Sequence, residues 1–125
     1  MTSPPPLAAP MPSAAARALA TEWGAPVAFG DVFGFLHPAA GRTGAVIVPH
    51  WGYDGLCFHP MPRALAAALA QAGVPCLRYD PPGDGHSGDL ADAADPARAW
   101  ADSVVAAAAA LRAQSGARRV VLIGF

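Results

Sequence analysis

Three short apolar runs dominate the last two-thirds of the chain, Gly44–Pro49, Val74–Asp80 and Arg118–Ile123. Runs of this length without strict polar alternation suit strands covered on both faces, as in a parallel sheet. Helical periodicity fills the gaps between them. Met61, Leu65, Leu69 and Ala72 recur every three or four residues in one gap, and Trp100, Val104, Ala108 and Leu111 do so in the other. Pro62 opens the first helix, where its missing N–H costs nothing, and Gly73 ends it. Asp95-Pro96 caps the second, and Gly116 closes it. Strand, helix, strand, helix, strand implies a parallel sheet with right-handed crossovers. Upstream, Val27–Phe29 and Val32–Leu36 flank Gly30-Asp31, an acceptable two-residue hairpin connection. The expected fold is therefore α/β: a β-hairpin followed by β-α-β-α-β.

The 125 residues hold one domain at most. Residues 1–24 are rich in Pro, Ala and Ser and predict a disordered lead-in, with a short helix allowed over Ala14 to Glu22. The folded domain is expected over residues 25–125. Net charge is −1 and all eight basic residues are Arg, so no basic patch argues for nucleic acid. Cys57 and Cys76 are the only cysteines, too few for a disulfide framework or a four-cysteine zinc site, and they suit a reduced compartment. His37, His50, His59 and His86 are too scattered to argue for a metal. No stretch is long and apolar enough to span a bilayer, and the proline-rich start makes a poor secretory signal. The expectation is a cytoplasmic protein with no metal and no cofactor. Oligomeric state is left open.

The loop Asp80-Pro81-Pro82-Gly83-Asp84-Gly85-His86-Ser87-Gly88-Asp89 admits three readings. Gly83, Gly85 and Gly88 fit the dinucleotide pattern G-x-G-x-x-G. That chemistry needs the glycines to open a helix whose N-terminus meets a pyrophosphate. Here Pro81-Pro82 separates strand from glycines, and Asp84, Asp89 and Asp92 would repel a phosphate. The second reading makes Ser87 a nucleophile with His86 as its base. Neighbours on an extended chain point opposite ways, which places His86 poorly for that proton. The third is structural: a glycine turn after a strand, with Ser87 and the aspartates satisfying backbone donors. It is the preferred one.

The chain ends on Val120-Val121-Leu122-Ile123-Gly124-Phe125. An apolar strand running into Gly-x is how the nucleophile elbow G-x-S-x-G begins. Gly124 and Phe125 supply its first two letters. Asp80-x-Pro82-Gly83-x-Gly85-x-Ser87 resembles the D-x-[RP]-G-x-G-x-S loop after the fourth strand of α/β hydrolases. Val48-Pro49-His50-Trp51-Gly52-Tyr53 sits where that family carries its oxyanion loop, after the third strand. The resemblance covers residues 26 to 125, and its flavour is that of the serine aminopeptidase-like or exosortase-associated hydrolases.

The resemblance implies the N-terminal half of an α/β-hydrolase sheet, cut at the elbow, with the nucleophile as the residue after Phe125. Asp80, Pro82, Gly83, Gly85 and Ser87 are implied to be a structural loop. Trp51 is implied to donate its backbone N–H to the oxyanion, from a Pro49-His50-Trp51 triplet where the family has His-Gly-x. The bland alternative has His50 and Trp51 merely covering the top of the sheet. The parent protein is implied to be a serine hydrolase acting on a small-molecule ester, thioester or amide. The 125 residues hold no catalytic nucleophile, acid or base in place, and the expectation for them alone is an inactive fragment. The alternative from another class is a non-catalytic nucleotide-binding α/β module.

Overall fold

The computed structural model describes residues 13–50, 60–90 and 95–125. The elements in chain order are α1 (Ala14–Trp23), β1 (Ala25–Phe29), β2 (Val32–His37), β3 (Thr43–Ile47), α2 (Pro60–Gln71), β4 (Cys76–Tyr79), α3 (Pro96–Gln114) and β5 (Arg119–Ile123). The chain is an α/β protein built on one open, mixed sheet of five strands in the order β1-β2-β4-β3-β5. β1 and β2 form the expected hairpin, and β2 runs antiparallel to β4. β4, β3 and β5 are parallel to one another, with β3 in the middle. At the hairpin turn Gly30 takes φ 60° and Asp31 does not have positive φ, the sign pattern of a turn with Gly at its first central position.

Helix placement follows from strand order. β4 lies on one side of β3 and β5 on the other. Right-handed crossovers to opposite sides put α2 and α3 on opposite faces. The side-chain alternation of the strands divides the core in the same way. Ala45, Ile47 and Cys76 face Ala66 of α2, with Leu65 and Leu69 partly buried beside them. Val32, Val46, Leu77 and Tyr79 face Ala107 and Leu111 of α3.

Both crossover helices start and stop where the sequence says, with small shifts. α2 begins at Pro60, two residues before Pro62; both prolines stand in the first turn, where N–H groups have no helical partner. Gly73 ends it with φ 92°, donating to the Ala70 carbonyl while Val74 donates to Leu69, the paired bonds of a Schellman motif. Asp95 caps α3 through its carboxylate, which accepts from Ala97 N at 3.1 Å and Arg98 N at 3.4 Å. The buried stripe of α3 is Ser103, Ala107 and Leu111; Leu111 is as expected, while the expected Trp100, Val104 and Ala108 are half-buried beside it. Ser103 is polar and still buried. Its hydroxyl donates to the Trp100 carbonyl at 2.6 Å and lies 3.3 Å from the Tyr79 hydroxyl, so it is satisfied inside the core.

Within the stretch expected to be a disordered lead-in, the short helix allowed over Ala14 to Glu22 forms as α1. Ser13 caps it by accepting from Ala16 N at 3.1 Å. Gly24 ends it at φ 87°, where a Cβ would stand 2.7 Å from that of Phe35. α1 buries no residue of its own. Residues 1–12 lie outside the described residues. Among the described residues no helix is long and apolar enough to cross a membrane.

Candidate functional site at the carboxyl ends of β3, β4 and β5

In an open α/β sheet a ligand crevice lies beyond the carboxyl ends of the strands, where successive crossovers leave in opposite directions. That point here is the end of β3. Past Ile47 the chain stays close to β5: Val48 N–H donates to the Ile123 carbonyl at 2.8 Å. Two residues on, the His50 ring lies against Phe125, with centroids 5.1 Å apart and planes 31° apart. The segment after β3 and the Gly124-Phe125 segment after β5 are therefore neighbours at one edge. Trp51, expected to be the oxyanion donor, lies outside the described residues, as does Cys57.

The loop after β4 is a closed structure. Asp80 N–H continues the sheet by donating to Phe33 O at 2.9 Å. The Ser87 hydroxyl accepts from Phe33 N at 3.0 Å and donates to the Asp80 carbonyl. It is thus used in both directions, and Ser87 is buried. Each backbone N–H from Gly83 to Gly88 also has an acceptor. Gly83 donates to Gly88 O, Asp84 to Pro81 O, Ser87 to Asp84 O and Gly88 to Asp31 O on the hairpin. Gly85 donates to the Asp84 carboxylate and His86 to that of Asp80, each at 2.9 Å. Gly83 and Gly85 have φ 82° and 52°, and a Cβ on Gly85 would collide with the Asp80 carboxylate. Pro82 fixes the loop to α3 by accepting from Trp100 Nε1 at 3.2 Å.

This saturation bears on the other two readings of the glycines. A phosphate cradle needs backbone donors turned outward, and residues 83–88 have theirs engaged. The N-terminus of α3 already holds the Asp95 carboxylate. A nucleophilic Ser87 needs a base at its hydroxyl. His86 instead turns Nδ1 to Asp80 Oδ2 at 3.3 Å, with its side chain 77% exposed. Cys76 is no better as a nucleophile, because burial pushes its thiol up to about 12.

Between the ends of β3 and β4 lies a cleft of about 180 Å³. Phe35, Ile47, Pro49 and Pro62 give it apolar walls, while His50, Asp80 and His86 stand among its polar groups. Its volume is small against the several hundred Å³ of drug-sized ligand pockets. Among the described residues no three of the His, Cys, Asp and Glu side chains come together as a metal site.

One cluster was not anticipated from the sequence. Arg78, in mid-strand, is buried and points to the α1 side of the sheet. Its Nε donates to His37 Nε2 at 3.0 Å and its Nη2 to the Trp23 carbonyl at 2.8 Å, with the guanidinium 4.4 Å from the centre of the Phe35 ring. The signal was available as an arginine between Leu77 and Tyr79 in a strand otherwise apolar, a position that demands partners. No family model matches this sequence, and no curated protein and no solved structure matches it.

Proposed function

We propose that this chain forms the N-terminal part of an α/β-hydrolase domain, and that the protein it belongs to hydrolyses an ester, thioester or amide through an acyl-serine intermediate. The observation that carries the reading is the hydrogen bond from Val48 N–H to the Ile123 carbonyl, with His50 against Phe125 beyond it. An oxyanion hole in this fold is made by the N–H of the residue after the nucleophile and an N–H from the loop after the third strand. The two must converge on one oxygen, with each donor about 3 Å from it. Adjacency of β3 and β5 supports that convergence, and the self-contained Asp80–Gly88 loop supports a scaffold role for the glycines.

In this reading the serine hydroxyl following Gly124-Phe125 attacks the acyl carbonyl. A histidine takes its proton and passes it to the leaving alcohol, thiol or amine. Negative charge on the carbonyl oxygen is met by the two backbone donors, one of them at Trp51. Water then repeats the cycle on the acyl-serine and releases the acid. Residues 1–125 contribute one arm of the hole and the floor beneath it, and are expected to be inactive alone.

The test extends the reading frame past codon 125. A Ser-x-Gly in frame, and labelling of that serine by a fluorophosphonate probe in the extended protein, are expected. A different continuation would overturn the reading, as would probe attached to Ser87 in the 125-residue chain.

A further inference from the structure

α1 is held to the sheet in an unusual way for a helix, because none of its residues is buried. Leu19 and Trp23 are both about half exposed. It packs along α2, and its ties to the sheet are polar. The last carbonyls of a helix have no partner within it. Here two of them are taken by side chains from the sheet: Thr21 O by His37 Nδ1 at 2.9 Å and Trp23 O by Arg78 Nη2 at 2.8 Å. The Arg63 guanidinium of α2 adds a cation–π contact, 4.1 Å from the centre of the Trp23 ring.

The bonds fix the charge state of His37. A carbonyl only accepts, so Nδ1 carries the proton. Arg78 Nε only donates, so Nε2 is bare. His37 is therefore neutral, fully buried and used at both nitrogens. A second proton on Nε2 would abolish the bond from Arg78 and set two cations face to face.

We propose that His37 and Arg78 form a proton-operated latch on α1, which holds the helix to the sheet while His37 is neutral and releases it when His37 is protonated. Among the described residues no counter-charge acts on His37. Arg78 of β4 and Arg63 of α2 are the charges acting on His37, and both are positive. Cys76, its partner across the β2–β4 ladder, is a neutral thiol. From α1 it meets only the Thr21 carbonyl, which favours the cation but already accepts the existing Nδ1–H. Burial, which acts most strongly, holds the imidazole below the ordinary histidine value, and the two arginines act in the same direction against Thr21. The docked form thus binds fewer protons than the released one. Docking is complete above about pH 6.5 and weakens as pH falls from there towards the lowered value of the docked state. Arg78 also lines the cleft, so the latch and the candidate site share a side chain.

Hydrogen exchange read by mass spectrometry on the whole chain at low concentration tests the latch. Below about pH 6.5, exchange of α1 amides, corrected for intrinsic rates, should rise by up to about tenfold per pH unit, the limit for one proton. β3, β4 and α3 should keep their protection over the same range. His37→Gln keeps one donor and one acceptor but does not titrate, and should make α1 protection independent of pH. The C2-proton exchange of His37, followed in the same spectra, should give a midpoint that coincides with α1 release. Unchanged α1 protection down to the His37 midpoint would overturn the proposal. So would a release that persists in His37→Gln, or one whose midpoint differs from that of His37. Should His37→Gln not fold, coincidence of the two wild-type midpoints decides alone.

Discussion

The loop after β4 and the first residues after β3, Val48 to His50, leave the carboxyl edge of the sheet side by side and make different contacts. In the loop after β4 a buried hydroxyl, two carboxylates and six successive N–H groups are all engaged within the loop or on the hairpin. Among the described residues after β3, Val48 donates a sheet-like bond to β5 and His50 lays its ring on Phe125. A loop with its backbone donors spent is a girder: no N–H from Gly83 to Gly88 is left to cradle an anion, and of its polar side chains only those of Asp80, Asp84 and His86 face the cleft. The proposed place for chemistry is where strands β3 and β5 end together.

The largest expected effect falls on activity and on the β3 side. In the protein extended past Phe125, Trp51→Pro removes the proposed donor N–H and should lower kcat by about 100- to 1000-fold. A loss below about tenfold would take Trp51 out of the oxyanion hole. On the β4 side the effects should appear in stability instead. Ser87→Ala leaves Phe33 N–H and the Asp80 carbonyl without their shared partner and should cost about 2 kcal/mol, read as a lower urea midpoint at constant slope. An unchanged midpoint would mean that the hydroxyl is not the tie it looks like. Gly85→Ala forces a side chain into a left-handed conformation against Asp80 and should cost about 1–2 kcal/mol. Smallest is Phe125→Ala: Phe125 is 55% exposed, and stability should shift by no more than about 0.5 kcal/mol. A large shift there would show that the His50–Phe125 contact is structural, and the difference between the loops would narrow.

Strand positions were legible because uninterrupted apolar runs have few alternatives, and Gly30-Asp31 and Asp95-Pro96 marked their turn and cap plainly. The order β1-β2-β4-β3-β5 was not, since no residue of β4 announces on which side of β3 it will pair. A helix over Ala14 to Glu22 was allowed, but the docking of α1 escaped for a related reason. Its apolar face is mostly alanine, and what fixes it, His37 and Arg78, lies far along the chain. The stripe of α3 was read correctly at Leu111 but missed Ser103 and Ala107, because polar Ser103 is buried through bonds to Tyr79 and Trp100 that no helical period reveals. For the candidate site, the glycine loop could be read as scaffold because too many aspartates surround it for a phosphate. The cleft could not, because Phe35, Pro49 and Asp80 meet only once the sheet is assembled.

The bond between Val48 and Ile123 has a consequence for the order of folding. β3 is third to be synthesised and yet is the strand around which the parallel sheet closes, with β4 on one side and β5 on the other. Its second partner emerges about 75 residues after Val48, and closing so large a loop carries an entropic cost that the tight β1–β2 hairpin avoids. The edge proposed to carry the chemistry is thereby the last part of the sheet to be completed. Pulse labelling during refolding should show the hairpin amides protected first and the β3 amides facing β5 protected late. The reverse order would mean that β3 and β5 find each other before the rest of the sheet exists.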